Sequence, residues 1–553
     1  MIAAAMLASA TAQSAGGGAS VAAANAGGAL GLYDAQAFAL DVKGKGAAPA
    51  SRQAAWYFRD ETIAVPHAGL PLAGFESGVH AFDDVAHWAA ARRAGTPIDY
   101  PPLVWVAAPQ VVRKARLDSD GRHLLTADGA LALRYVEKIK LNRSYADASS
   151  SAFFAPHDLT LRGTLTPQGF VARSIWPQDF SLGPDAAPAR AMAAGDAAQA
   201  MRGLMREMPR GGAQSPYAAS TIWRRAGSSA AWAGKPVLGL MVNGAQGDDD
   251  EAHGGHFAIV TGRVQADGAI GDWLVNNFYS LDVESEKGII AAPVPLDNYL
   301  ADLNAGQAWY RPTAMLVAVL DDERAAVLAQ SALNRVYQQF YRHQLVYYHP
   351  NQNCASISVD TLRALGWNVP ARGPSSRILA WLGFPFVAIK DRSIGKAKLA
   401  FDYLRTDQTR LLPAAALEEA YASLLALVTG ARQPEGDLAS MLAIDVSALA
   451  FLRFPQFPSS RAWGDAPAVT VWEYRTLVPN DPALMQIVPV PPRPFPDALR
   501  DPDLLPPRWT PADWATLAWA LVTVVGLPLL LWRWWRRRAA RAPNALDLGT
   551  GKS

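Results

Sequence analysis

The sequence predicts an α+β protein with a mainly-β N-terminal domain, a second domain mixing strands and helices, and one C-terminal transmembrane helix. Three observations carry this reading. Between Ala54 and Gly183, short apolar runs alternate with Gly, Pro and Asp turn signals. From Ala186 onward, strand-like runs are interleaved with stretches of helical periodicity. Near the end, Trp514 to Trp532 contains no charged residue. Such a segment, at about 1.5 Å per residue, matches the hydrocarbon core of a bilayer.

The elements follow in chain order. Met1 to Ala15 is small and apolar with Ala-x-Ala steps, like the end of a secretory signal, although the first Lys is Lys43 and the first Arg is Arg52. Gly16 to Gly31 is Gly/Ala-rich, so 1–31 reads as signal-like and disordered. The mainly-β domain covers 32–185. Its expected strands are Leu103–Ala108, Leu131–Val136, Leu159–Leu165 and Phe170–Ile175, with a short helix over Phe82–Ala94 stopped by Gly95.

The second domain covers 186–477. It opens on a helix over Ala186–Met208, followed by strands at Pro236–Val242, His256–Val264 and Asp272–Leu281. A helical stretch spans Asp321–Tyr348 and breaks at Pro350. A second helix starts at Cys354 and ends at Gly366. Further helices are expected at Lys396–Leu404, Ala414–Thr429 and Asp437–Leu449, and a last strand at Val469–Tyr474. A proline-rich linker (478–511) favours extended polyproline conformation and acts as a spacer. The expected span (512–533) has tryptophan anchors at Trp514, Trp519 and Trp532. The tail (534–553) is basic, with Arg536, Arg537 and Arg538 close behind Arg533. By the positive-inside rule the tail faces the cytoplasm and the bulk of the protein lies outside.

Composition excludes several classes. The 553 residues carry 51 Lys+Arg against 49 Asp+Glu, a balance that argues against a nucleic-acid binder. Half the residues are hydrophobic, enough for a substantial core. A single cysteine permits neither an internal disulfide nor a thiolate zinc cluster. Cys354 is therefore either a small buried apolar residue or a functional thiol.

Three windows carry candidate chemistry. Asn351-Gln352-Asn353-Cys354 places the thiol at a helix start, where free N–H groups and the macrodipole favour the thiolate. His253-Gly254-Gly255-His256 opens a strand, and a histidine at a strand edge can act as general base. The nearby Asp248, Asp249, Asp250 and Glu251 tempt a metal reading. Their spacing is not that of a zinc protease, a solvated loop is the better account, and no metal or cofactor is expected. Val275-Asn276-Asn277 lies on the next expected strand. An Asn there would orient the imidazole, and alternation lets only one of the pair share the cleft face.

The order His256, Asn276, Cys354 resembles a circularly permuted papain-like fold, as in permuted relatives of the cell-wall peptidase family called NlpC/P60. A closer resemblance is to the periplasmic domain of Lnb-type lipoprotein N-acyltransferases. It rests on Gly255-His256-Phe257-Ala258, Val275-Asn276, and the run from Tyr341-Arg342 through Tyr347-Tyr348 to Asn353-Cys354. It covers roughly residues 235 to 370. Two departures stand out: Val275 replaces an aromatic residue before the Asn, and Ser356-Ile357 replaces the usual Thr-Arg after the cysteine pair. The resemblance implies Cys354 as nucleophile, His256 as base and Asn276 as orienter.

The expected function is thus that of a membrane-tethered, extracytoplasmic cysteine acyl-transfer enzyme of the bacterial inner membrane, working through a thioacyl intermediate. Asn353, Tyr348 and Asn277 are its candidate substrate contacts. Its substrate would be a lipoprotein, phospholipid or peptidoglycan. Two alternatives compete: a peptidoglycan amidase or peptidase using the same three residues, and an inactive tethered scaffold that binds a partner.

Overall fold

The structure is a computed structural model in which residues 21–26, 28–42, 52–59, 61–136, 148–183, 187–192, 195–207, 216–244, 255–281, 291–309, 311–458, 496–499, 514–515, 518–519 and 522–539 are described. The expected signal segment (1–15), acidic run (248–251), strand (469–474) and nearly all of the proline-rich linker lie outside the described residues.

The first part is strand-rich. It holds β1 (Val21–Ala23), β2 (Ala29–Leu30), β3 (Tyr33–Asp34), β4 (Phe38–Asp41), β5 (Ile63–Pro66), β6 (Val104–Trp105), β7 (Gln110–Leu117), β8 (His123–Thr126), β9 (Gly129–Tyr135), β10 (Leu159–Thr166) and β11 (Gly169–Pro177). Helices α1 (Arg52–Tyr57), α2 (Ala81–Ala91) and α3 (Ala148–Phe154) lie between them. One sheet runs β1-β7-β10-β11-β9-β8, and a further β7–β8 pairing closes β7 to β11 into a small barrel. The expected disorder of Gly16–Gly31 is corrected in part: Val21–Ala23 adds to β7 as an edge strand, and Ala29–Leu30 pairs with β3. Val21 and Leu30 supply apolar side chains that the small-residue composition of the stretch hides.

The second part is a seven-stranded sheet, β12-β18-β17-β13-β14-β15-β16, in which every neighbouring pair is antiparallel. Its strands are β12 (Ala218–Arg224), β13 (Pro236–Asn243), β14 (His256–Arg263), β15 (Leu274–Asn277), β16 (Ala292–Pro295), β17 (Thr313–Leu320) and β18 (Val446–Phe454). Every residue of β13 and β17 is buried, as expected of central strands covered on both faces. The helices are α4 (Ala197–Arg206), α5 (Leu296–Ala301), α6 (Arg324–Tyr341), α7 (Cys354–Ala364), α8 (Arg377–Lys390), α9 (Ile394–Arg405), α10 (Gln408–Leu411), α11 (Pro413–Val428) and α12 (Asp437–Asp445). Of these, α6, α7 and α11 pack on β13 and β14. One apolar core runs from the barrel through this sheet into the helices. Buried ion pairs join the layers: Arg162 on β10 to Asp297 on α5 at 2.8 Å, and Arg173 on β11 to Glu61 and Asp302 at 3.0 and 2.9 Å.

Three expected helices are shorter than their periodicity suggests: the one expected over Asp321–Tyr348 is α6, which ends at Tyr341 ahead of a turn in which His343 has a positive φ. The helix expected from Ala186 begins only at Ala197, where Asp196 caps the Ala198 and Gln199 N–H groups behind Gly195. The helix expected over Asp437–Leu449 stops at Asp445, and Val446–Phe454 is instead β18, an apolar run paired on both sides.

The C-terminal transmembrane expectation is overturned. Among the described residues no helix is long and apolar enough to cross a membrane. The helix here, α13 (Leu527–Ala539), has 13 residues. At about 1.5 Å each it reaches about 20 Å, short of the roughly 30 Å of a hydrocarbon core. Its second half carries Arg533, Arg536, Arg537 and Arg538, and the π-helical Val522–Gly526 precedes it. Among the described residues the fold is therefore α+β with a mainly-β N-terminal region, without that span.

Candidate active site

Cys354 opens α7 because Asn353 makes a good N-cap. The Asn353 side-chain oxygen accepts from the Ala355 and Ser356 N–H groups at 2.9 and 3.0 Å, and the Asn353 N–H donates to Ser356 Oγ at 2.7 Å. This reciprocal capping box assigns Asn353 and Ser356 to fixing the helix start. Asn353 also donates to the His349 carbonyl at 2.7 Å. Tyr348 ties the preceding loop to α9, its hydroxyl donating to Asp402 at 3.0 Å. The structure thus places both of these expected substrate contacts in scaffolding bonds.

His256 is the first residue of β14, behind Gly255, whose φ of +73° is a turn that a glycine adopts without strain. It lies opposite Asn243 on β13. Both Cys354 and His256 are buried. Helix α7 packs on β14, and the backbone N–H of Phe257, next to His256 in the chain, hydrogen-bonds the Cys354 sulfur.

The register of β15 decides between the two asparagines. Asn276 pairs with Ile259, so Asn277 falls opposite Ala258, two residues from His256 and on its face of the sheet. Asn277 is accordingly the side chain that hydrogen-bonds the His256 ring. The structure joins Asn277 to His256 and sets Cys354 against the neighbouring Phe257 N–H, and it does not bring Asn276 to them. Asn276 points to the opposite face, where it exchanges two 3.0 Å bonds with Gln330 on α6 and donates to the Ile259 carbonyl at 3.2 Å. Gln330 also accepts from Thr261 at 2.5 Å and donates to Asn334 at 2.9 Å, so Asn276 belongs to a buried polar network that locks α6 to the sheet.

Four further residues complete the site; of these only Tyr347 lies in one of the sequence motifs. Arg311 is buried and its positive charge acts on both Cys354 and His256. Its Nη1 donates to the Gly244 carbonyl at 3.2 Å. Tyr347 hydrogen-bonds the Cys354 sulfur and accepts from the Cys354 N–H at 3.4 Å. The rings of Tyr279 and Tyr299 stand 6.5 and 6.3 Å from the His256 ring. The Tyr299 hydroxyl donates to Asn243 at 2.7 Å. The sequence signal for Arg311 is faint, a lone basic residue ahead of the apolar strand Thr313–Leu320.

The charge state follows from burial. Burial pushes the Cys354 thiol above its ordinary value, against the N–H groups of Phe257 and Ala355, the Tyr347 hydroxyl and the Arg311 charge, which all favour thiolate. The sequence expectation that the helix start lowers this pKa is thus outweighed. Burial also pulls His256 down to about 3, assisted by Arg311 and opposed by the Asn277 bond. At neutral pH the site rests as a neutral thiol beside a neutral imidazole. Among the described residues the Nε2 atom of His256 is buried without a hydrogen-bond partner.

A stability prediction follows. The unfolded chain binds a proton on this histidine below about pH 6.5, and the folded chain does so only below about 3. Stability from this group is therefore lost as pH falls through that window, by about 1.4 kcal/mol per unit. Urea unfolding at pH 7 and pH 4.5 should show a smaller acid loss in His256→Gln than in wild type, by about 2.5 kcal/mol. The asparagines give a second prediction. Asn276→Ala should cost about 1–3 kcal/mol of stability, because Gln330 loses a buried partner. Asn277→Ala should instead slow acylation of Cys354 on the order of tenfold or more at near-native stability. Denaturant melts and acylation kinetics on both variants check it.

Comparison with protein-family models, curated proteins and solved structures finds no match to this chain.

Proposed function

We propose that the protein is a cysteine-dependent acyl-transfer enzyme, with Cys354 as nucleophile, His256 as general base and Asn277 as the residue that orients the ring. The observation that carries this reading is the chain's one cysteine, at a capped helix start, bonded by the Phe257 N–H right beside a buried histidine that an asparagine holds. A cysteine serving only as core filler needs neither the Arg311 charge nor the Phe257 N–H on its sulfur. The reading is also supported by the resemblance of Gly255–Ala258 and Asn353-Cys354 to the periplasmic domain of Lnb-type lipoprotein N-acyltransferases, with the orienting role moved to Asn277.

In the first step His256 takes the Cys354 proton as the sulfur attacks the substrate carbonyl. The Arg311 charge and the Phe257 N–H favour the anionic sulfur as it forms. The tetrahedral intermediate collapses, the carbon–leaving-group bond breaks, and the leaving group takes the proton from His256. In the second step an amine or water gives its proton to His256 and attacks the thioacyl carbon. The carbon–sulfur bond breaks and the sulfur recovers the proton. The backbone donors first expected at the helix start are largely taken, since Ala355 and Ser356 donate to Asn353.

The test is acyl transfer from a fatty-acyl ester to an added amine, followed by mass spectrometry of the product. Wild type should form the amide and Cys354→Ala should form none above background. Equal product from both would overturn the assignment.

A further inference from the structure

Helices α8 and α9 form a hairpin with its own small core of Ala380, Phe384, Ala388, Ala397 and Phe401, separate from the main one. Helix α8 is apolar on both sides. Ala380, Phe384 and Ala388 face α9, whereas Ile378, Leu379, Leu382, Phe386 and Ile389 are each more than half exposed. At 100° per residue these five fall within one arc of about 100°, so they form a continuous stripe. Ile394, at the start of α9, extends it at 63% exposure. A soluble surface helix carries polar residues on such a face.

The charge around the stripe identifies what covers it. Between Arg377 and Arg405 the hairpin has six basic residues against two acidic ones. Arg377 and Lys390 stand at the two ends of α8, and Arg392 and Lys396 continue the exposed basic rim. The C-terminal segment adds matching chemistry: Trp519 packs edge-on against Trp381 of α8 at 5.0 Å, and Leu529, Leu530, Leu531 and Trp532 are exposed beside the arginines of α13. A broad apolar face rimmed by positive charge and tryptophan is the chemistry that lies in the interfacial plane of an anionic bilayer.

We infer that the α8–α9 hairpin is a docking surface for an anionic phospholipid bilayer, with the stripe of α8 inserted among the acyl chains and the basic rim at the headgroups. This is adsorption in the plane of the interface and involves no spanning helix. It is independent of the thiol chemistry, so Cys354→Ala should bind vesicles as wild type does. The experiment is co-sedimentation of the full chain with vesicles of phosphatidylcholine alone and of phosphatidylcholine with about one-third phosphatidylglycerol. Wild type should bind the mixed vesicles, and less so at high salt. The double variant Leu382→Glu, Ile389→Glu should bind at least about tenfold more weakly. Both positions are exposed, and an unchanged circular dichroism melt checks that the variant is folded. No binding to the mixed vesicles overturns the proposal, as does equal binding by the variant, which would assign the attraction to the C-terminal segment alone. A wild-type dimer in light scattering that the variant abolishes, without vesicle binding, would give the face to a second copy and overturn it as well.

Discussion

Substituting His256 by Ala is expected to slow turnover of an acyl ester by about 10²–10⁴-fold, the range typical of a lost general base. The loss should fall on kcat more than on KM, because the imidazole acts on a proton that moves in the transition state. The resting site explains the size of the effect. Burial holds Cys354 in the thiol form above its ordinary pKa, so the site has little thiolate of its own at neutral pH. Proton removal must accompany attack, and His256 is the base at hand. A site that held a preformed thiolate would lose less. The pH profile should distinguish the two cases: the variant's residual rate should keep climbing as pH rises toward the elevated thiol pKa. Stopped-flow turnover across pH checks both the magnitude and the profile.

The second large effect is on stability. Asp84 on α2 is buried and accepts from Arg335 Nη2 at 2.5 Å, Arg335 Nε at 3.2 Å, Gln339 Nε2 at 2.8 Å and the Glu76 N–H at 2.8 Å. Arg335 and Gln339 both lie on α6, so a single carboxylate clamps the N-terminal part to a helix that packs on the seven-stranded sheet. Asp84→Ala would leave a largely buried guanidinium and a buried amide without their acceptor. Breaking one side of such a pair costs about 3–5 kcal/mol, since the remaining charge stays desolvated. Asp84→Asn keeps the shape and one acceptor, and should cost less. Guanidinium melts of the two variants check the order. A loss below about 1 kcal/mol for Asp84→Ala would show that the clamp contributes as little as a surface pair.

The parts of the architecture that could be read from sequence are those with local signals. Asn353 ahead of an apolar helix start is a capping pattern, and α7 begins where it says. The run from His256 into Val264 is a strand because its β-branched and aromatic residues sit behind a glycine turn. Other parts depend on distant partners. Val446–Phe454 is apolar enough to continue a helix, and only its pairing with β12 and β17 makes it a strand. Helix α8 has no legible sequence signal because it carries Pro385 in its interior and because a helix apolar all round has no amphipathic signature. The Trp514–Trp532 run has the composition of a span, yet among the described residues no helix is long and apolar enough to cross a membrane, and α13 runs into arginines. The candidate site divides the same way. Alternation reduced Asn276 and Asn277 to one orienter, but which one depends on the Ile259–Asn276 register, a long-range fact. Arg311 enters through the loop ahead of β17 and has no motif of its own.

The account rests on Cys354 being a nucleophile that His256 activates. The most direct measurement is intact-mass spectrometry of the full chain during reaction with a para-nitrophenyl fatty-acyl ester, with the modified residue mapped after quenching in acid. The account predicts a single acyl adduct on Cys354 in the native protein, formed about 10²-fold or more slowly in His256→Ala, with the two proteins reacting alike once unfolded. An unacylated Cys354 in the folded protein, or equal native rates for wild type and His256→Ala, would contradict it.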